Sequence, residues 1–255
     1  MTPQPDLTGR VALVTGASSG LGNHFARTLA QGGARVVVAA RRISALDELA
    51  AEIRASGGQS VALTLDVRDR QSVRQTVAEA LRVYGQIDIL VNNSGVTAAA
   101  AALDQTEEEW DSVIDTNLKG AFLMATDVAR AMRDRGRGGS IINVASILGI
   151  RQAGHVASYA VSKAGLVQLT KLLALEFARF SIRVNALAPG YIETDLNREF
   201  WNSAPGAALL KRIPQRRLGK PSDLDGALLL MASDASAYMT GAVLAIDGGH
   251  LVSSL

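Results

Sequence analysis

Residues 10–22 read Arg-Val-Ala-Leu-Val-Thr-Gly-Ala-Ser-Ser-Gly-Leu-Gly, a short apolar run that breaks into a glycine-rich turn and opens an amphipathic stretch. The pattern predicts a strand over Arg10–Val14, a tight loop, and a helix over Leu21–Gln31. Glycine in such a loop allows positive φ and close backbone approach, and the helix that follows presents unpaired N–H groups at its positive end. A strand, a glycine loop and a helix N-terminus in that order make a phosphate cradle. Gly16, Gly20 and Gly22 run Gly-x-x-x-Gly-x-Gly, a different spacing from the familiar Gly-x-Gly-x-x-Gly of dinucleotide folds. Its placement directly after a first strand gives it weight, and Ser18, Ser19 and Leu21 fall inside it.

Outward from this stretch the same alternation repeats. Strands are expected at Arg35–Ala39, Val61–Leu65, Ile87–Val91, Ser140–Val144, Arg183–Ala188 and Ala242–Ile246. Helices are expected at Ser44–Ala55, Arg70–Tyr84, Thr106–Arg135 (with a break near Asn117), Tyr159–Phe180 and Ser222–Met231. The strands are nearly continuous apolar runs, as in parallel sheets covered on both faces. Strict alternation therefore predicts a single α/β domain over 1–255, a Rossmann-like doubly wound parallel sheet of about seven strands. Gly190–Pro214 reads as one long irregular connection, and a connection of that length suits a substrate lid at about 190–214.

Composition narrows the function classes. A net charge of +2 over 255 residues gives no footprint for nucleic acid. The absence of cysteine excludes disulfides and thiolate metal sites and suits a reducing cytoplasm. His24, His155 and His250 are scattered, so no metal site is expected. The first residues lack the pattern of a secretory leader, and no apolar run approaches membrane-spanning length.

The end of the second strand bears on the ligand. A dinucleotide fold selective for NAD places a carboxylate there against the ribose 2′-hydroxyl. Here the residues are Ala39-Ala40-Arg41-Arg42. Two guanidiniums and no carboxylate suit a 2′-phosphate, so NADPH is expected in preference to NADH. Asp66 and Val67 after the third strand fall where an adenine would lie, and Asn92-Asn93-Ser94-Gly95 lies on the same sheet edge.

A reacting centre is suggested by Ser158-Tyr-Ala-Val-Ser-Lys163. Ser158 reads as a helix N-cap, and Tyr159 and Lys163, four apart, share one helical face. A free phenol titrates near pH ~10, and a neighbouring ammonium is expected to bring Tyr159 toward the working range of a general acid or base.

Taken together, these residues resemble the short-chain dehydrogenase/reductase family over essentially the whole chain. Thr15–Gly22 matches its cofactor loop, and Asn92-Asn93-Ser94-Gly95 matches Asn-Asn-Ala-Gly with serine in place of alanine. Asn117, Ser146, Tyr159 and Lys163 match its catalytic residues. Pro189-Gly190, Ile192 and Thr194 match its nicotinamide-flanking segment, and Asp247-Gly248-Gly249 its usual ending. The resemblance implies hydride transfer from NADPH to a carbonyl carbon, with Tyr159 protonating the alkoxide and Ser146 orienting the carbonyl oxygen. It implies that Lys163 binds the nicotinamide ribose and that Asn117 holds a water linking Lys163 to solvent. It also implies a homotetramer.

The implied substrate is a small carbonyl or alcohol, either a 3-oxoacyl thioester or a simple or aryl ketone. A sugar or polyol dehydrogenase is the alternative. A non-catalytic dinucleotide sensor is a second one, disfavoured because all four catalytic residues are present. Leu148, His155, Tyr191, Phe200 and Trp201 are candidate pocket residues, and the pocket segments are largely apolar, which favours a ketone over a polyhydroxylated sugar.

Overall fold

Alternate residues of the first strand, β1 (Val11–Thr15), go to opposite sides of one sheet. Ala12 and Val14 join a core that includes Phe25, Leu29 and Leu228, whereas Val11 and Leu13 join another with Val73, Val77 and Met124. Both faces are covered, which is why the strand shows no polar alternation. A computed structural model describes residues 6–193, 201 and 203–253.

The elements follow in strict alternation: α1 (Gly20–Gln31), β2 (Arg35–Ala40), α2 (Ile43–Ala55), β3 (Gln59–Thr64), α3 (Arg70–Tyr84), β4 (Ile89–Asn92). After a long loop come α4 (Glu107–Ile114), a π turn at Asp115–Lys119, α5 (Gly120–Arg135), β5 (Gly139–Val144), α6 (Ala157–Phe177) and β6 (Ile182–Pro189). The chain ends with α7 (Ala204–Leu210), α8 (Asp225–Ala232) and β7 (Val243–Ile246). The seven strands are all parallel, in the order β3-β2-β1-β4-β5-β6-β7. The order reverses between β1 and β4, which opens a crevice beyond their carboxyl ends.

Local chemistry sets the boundaries. Asp69 caps α3 by accepting from Gln71 N at 2.8 Å, and Gly85 ends it in the left-handed region at φ 74°. Thr106 and Glu109 form a capping box at α4, and the three glutamates of its first turn complement the helix dipole. Three expectations need correction. Ser158 is buried inside α6 and accepts from Gln105 Nε2 at 2.9 Å, so it anchors the loop before α4 instead of capping. The stretch after Gly190 is not wholly irregular, since it contains α7, capped by Ser203 accepting from Gly206 N. The edge strands β3 and β7 are only partly covered, unlike the central five. Among the described residues no helix is long and apolar enough to cross a membrane.

Candidate active site

The loop between β1 and α1 is shaped by contacts that only glycine permits. Gly16 has φ +65°, and a Cβ there would lie 2.9 Å from Ser94 Cα. A Cβ on Gly22 would lie 2.4 Å from both Asn93 Nδ2 and Gly16 O. Thr15 Oγ1 accepts from the backbone N–H groups of Asn93 and Ser94 at 3.0 Å, and Asn93 Nδ2 donates to Thr15 O at 3.0 Å. The loops after β1 and β4 are therefore stapled together, and the Asn93 side chain is spent on that staple.

In front of them lies a cleft of about 670 Å³. Gly16, Ser18, Ser19, Gly20 and Leu21 form one wall, and Asn93 and Gly95 stand opposite. Arg41, Arg42, Asp66 and Val67 line its far end. Ser19 occupies the N-cap of α1 without a side-chain capping bond, and a Cβ on Gly20 would meet nothing within 4 Å. Unsatisfied N–H groups facing an open, glycine-floored cleft fit a dinucleotide pyrophosphate.

Charge at the rim is partly committed. Arg42 Nη2 donates to Ser18 Oγ at 3.1 Å and to Ser19 Oγ at 2.8 Å, tying the second strand's exit to the glycine loop. Arg68 grips the Asp66 carboxylate at 2.8 and 3.1 Å and holds it below the usual carboxylate range. Arg41 is exposed at the rim, and its charge also bears on Asp66. Sequence reasoning missed Leu65, Arg68 and Thr116 as lining residues; a cation two positions after Asp66 was the available signal for Arg68.

The reacting groups gather at the carboxyl end of β5. Ser146 begins the turn Ile147–Gly149 by accepting from Leu148 N at 3.1 Å, and its hydroxyl acts on the Tyr159 phenol, lowering its pKa. Lys163 is buried, and its Nζ donates to Val144 O at 2.7 Å. The same ammonium lies 3.6 Å from where a Cβ on Gly95 would stand, which brings it to the cleft wall. Asn117, in the π turn, accepts from Val96 N at 2.8 Å and donates to Val96 O at 2.9 Å and Ser162 Oγ at 3.0 Å. Both its N–H groups are used, leaving one Oδ1 lone pair for a water.

The expected depression of Tyr159 is overturned. Burial pushes the phenol up, the Ser146 hydroxyl opposes this, and the neighbouring Tyr191 adds to the rise. Lys163 is turned to the Val144 carbonyl, 5.6 Å from the Tyr159 ring centre, and burial lowers its own pKa to about 8. Desolvation outweighs the Ser146 hydroxyl, and the ammonium is not among the groups that move the phenol.

Pro189 closes β6, and Gly190 passes so near Asp247 that a Cβ would lie 2.7 Å from its Cα. Ile192 is buried and bridges to Gly219, forming with Tyr191 one side of a smaller cavity of about 210 Å³. Tyr191 packs edge-on to Trp201 at 5.2 Å and against His250 at 5.5 Å. Leu148 is half-buried beside Ser146, whereas His155 is exposed in the left-handed region at φ 64°. The His155 carbonyl accepts from Ala100 N at 3.0 Å, so this residue braces the loop after β4 through its backbone. Thr194 and Phe200 lie outside the described residues. No cluster of metal-ligating side chains occurs among the described residues.

A dinucleotide cleft at a sheet switch point, with Ser146, Tyr159 and a buried lysine gathered beyond it, defines a nicotinamide-dependent oxidoreductase of alcohols and carbonyls. The family described as Enoyl-(Acyl carrier protein) reductase matches residues 16–250. The chain is 42% identical over 246 residues to 3-oxoacyl-(acyl-carrier-protein) reductase FabG of Thermotoga maritima, covering 96% of this chain and 99% of that one. It is 39% identical over 246 residues to 2-dehydro-3-deoxy-D-gluconate 5-dehydrogenase of Escherichia coli, covering 96% of each. It superposes at TM-score 0.94, with 37% identity and 98% coverage of each chain, on a gluconate 5-dehydrogenase from Burkholderia cenocepacia J2315 in complex with NADP and tartrate. The chain belongs to the short-chain dehydrogenase/reductase family.

Proposed function

We propose that this chain is an NADP(H)-preferring enzyme that interconverts a ketone and a secondary alcohol, with Tyr159 as general acid and base. The observation that carries the reading is the buried Lys163, held by the Val144 carbonyl 5.6 Å from the Tyr159 ring centre and brought against Gly95 in the wall of the cleft that fits a dinucleotide. The cofactor, when bound, supplies the hydride. Ser146 holds the substrate oxygen where negative charge develops, and Tyr159 delivers or takes the proton there. Burial keeps Tyr159 protonated at neutrality, the state a reductase needs. Lys163 sets a positive charge beside the cleft wall, and Asn117 positions the β4 loop against α6 through Val96 and Ser162.

Arg41 and Arg42, with no carboxylate at the end of β2, support NADPH over NADH. Exposed apolar side chains on α6, Val161, Leu172 and Leu175, with Trp110 on α4 and Phe122 on α5, support association with further copies of the chain, for which we propose a homotetramer. A cysteine-free chain with no nucleic-acid footprint suits a cytoplasmic enzyme of small molecules.

For the substrate, 3-oxoacyl thioesters and simple ketones remain the first reading. A sugar or polyol dehydrogenase is the second, supported by the 39% identity to 2-dehydro-3-deoxy-D-gluconate 5-dehydrogenase. Loss of reduced-nicotinamide absorbance with an acetoacetyl thioester, an aryl ketone and a keto-aldonate tests both. Turnover of none of them, with NADPH bound, would overturn the catalytic reading.

A further inference from the structure

At the amino ends of the strands, the edge of the sheet opposite the dinucleotide cleft, lies a second cavity of about 620 Å³. It is nearly as large as the cleft and within the size range of small-molecule sites. No residue assigned to the reaction lines it. The strand order β1-β4-β5-β6 sets its charged side chains in a row. Arg10 precedes β1, Asp88 precedes β4, Arg137 precedes β5, and Arg183 lies in β6 opposite Ser140. Close packing fixes this edge. Gly138 has φ +66°, and a Cβ there would lie 2.2 Å from Ser181 O. Ser181 itself stands at φ 58°, a conformation few non-glycine residues adopt, and its carbonyl accepts from Gly139 N at 3.2 Å. The loop that carries Arg137 is thereby seated on the turn that leads into β6 and Arg183.

The charges around the cavity do not balance. Asp88 is buried, and its carboxylate accepts from Val11 N at 2.8 Å, from Gln86 Nε2 at 2.8 Å and from Arg135 Nη2 at 2.5 Å. Arg135 is not part of the lining, so Asp88 is neutralised from behind. Asp234 is paired with Arg10 at 2.7 Å. Arg183 is half-buried and donates only to neutral oxygens: Ser236 Oγ at 2.7 Å and the carbonyls of Met231 and Ser233 at 3.0 Å. These three bonds hold its guanidinium against the end of α8 and bring it no counter-charge. Arg137 is exposed, and none of the ion pairs among the described residues uses Arg137 or Arg183. Two of the three guanidiniums that line the cavity are therefore left without a carboxylate. Tyr238, fully exposed, adds an aromatic face to the same lining.

Two uncompensated guanidiniums suit a doubly charged anion with several acceptor oxygens, which is a phosphate sooner than a single carboxylate. An aromatic face beside them suits a phosphate that carries an organic group. We propose that this cavity is a second ligand site, separate from the dinucleotide cleft, that takes a phosphate monoester. The phosphate lies between Arg137 and Arg183, and the organic part lies against Tyr238. The site stands whether or not Tyr159 is the reacting centre, because the two share no residue.

The decisive experiment is calorimetric titration of the NADP⁺-saturated protein, at low ionic strength, with phenyl phosphate, inorganic phosphate and phenol. Saturation with NADP⁺ keeps the anions away from Arg41 and Arg42. Phenyl phosphate is expected to bind roughly tenfold more tightly than inorganic phosphate, with phenol far weaker than either. Arg137→Gln should weaken phenyl phosphate and inorganic phosphate alike, by about tenfold, the worth of one charge-assisted contact. Tyr238→Ala should bring phenyl phosphate down to the level of inorganic phosphate and leave inorganic phosphate unchanged. Neither variant should change NADP⁺ affinity. Arg183→Gln should act as Arg137→Gln does. If it fails to fold, because Arg183 holds the end of α8, the exposed Arg137 position decides. Absence of phenyl phosphate binding, or binding that Arg137→Gln leaves unchanged, overturns the proposal. Phenol binding as tightly as phenyl phosphate also overturns it, since the arginines would then read no charge. Equal affinity for phenyl phosphate and inorganic phosphate overturns the assignment to an ester.

Discussion

Lys163 Nζ donates to the backbone carbonyl of Val144 at 2.7 Å, and among the described residues this neutral oxygen is the one hydrogen-bond acceptor offered to the buried ammonium. Burial lowers its pKa to about 8, against the ordinary value of 10.5. Between these values the unfolded chain binds the proton and the native protein does not, so native stability rises with pH. Below pH ~8 both states are protonated and the burial penalty is constant. Lys163→Met removes the effect. Urea unfolding at pH 7, 8, 9 and 10 should show wild type gaining on the variant by roughly 1 kcal/mol per pH unit above pH ~8, up to about 3 kcal/mol. A flat difference across that range would mean that Lys163 titrates normally.

Tyr159→Phe removes the phenol on which the Ser146 hydroxyl acts and nothing that lines the dinucleotide cleft. Loss of a positioned general acid costs on the order of 10²–10⁴-fold in kcat. We expect a loss at the upper end of that range, with NADPH affinity unchanged by fluorescence titration. Near-wild-type turnover in the variant would remove Tyr159 from the chemistry. Ser146→Ala should lose less, because Tyr159 keeps its own place on α6.

The two rim arginines should separate by what they touch. Arg42 is bonded to Ser18 and Ser19, so Arg42→Ala loosens the loop that any dinucleotide uses and should weaken NADPH and NADH alike. Arg41 makes no such bond, and Arg41→Ala should weaken NADPH alone, by about 10–100-fold, the worth of one charge-assisted contact. The double variant should still lose more NADPH than NADH affinity. Equal losses in the Arg41 variant would show that its guanidinium does not meet the 2′-phosphate.

The parts of this architecture governed by local rules were legible in the sequence. The helix expected over Arg70–Tyr84 is the one found, because the residues that bound it, Asp69 and Gly85, act within one turn of its ends. The strands of the central sheet stood out because both faces are buried. What stayed hidden depends on partners distant in sequence. Ser158 reads as a cap from its neighbours, yet Gln105, 53 residues away, claims its hydroxyl inside the helix. The four-residue spacing of Tyr159 and Lys163 places them on one face but does not say where the ammonium turns, and Val144 takes it. Arg151 reads as an ordinary loop residue until the C-terminal turn meets it through His250, 99 residues on. His155 reads as a candidate pocket residue, yet its ring is exposed and its carbonyl makes the contact found there, to Ala100 N.

Gly22 and Gly20, two residues apart, should fail in different ways when given a side chain. A Cβ on Gly22 would sit 2.4 Å from Gly16 O and from Asn93 Nδ2, atoms fixed by the staple between the β1 and β4 loops. Neither can move without breaking that staple, so Gly22→Ala should destabilise the protein by about 3 kcal/mol, the upper range of core overpacking. Gly20 has φ +56° and open space around its missing Cβ, because that side faces the cleft. Gly20→Ala should cost only about 1 kcal/mol in backbone strain. Its methyl group would instead stand where the pyrophosphate approaches the N-terminus of α1, and cofactor affinity should fall tenfold or more. Thermal unfolding with and without NADP⁺ distinguishes the two: Gly22→Ala lowers the midpoint of the free protein, and Gly20→Ala chiefly abolishes the upward shift that NADP⁺ gives. If Gly20→Ala retained the full shift, the pyrophosphate would have to lie elsewhere in the cleft, and the assignment of the 15–22 loop as its cradle would fall.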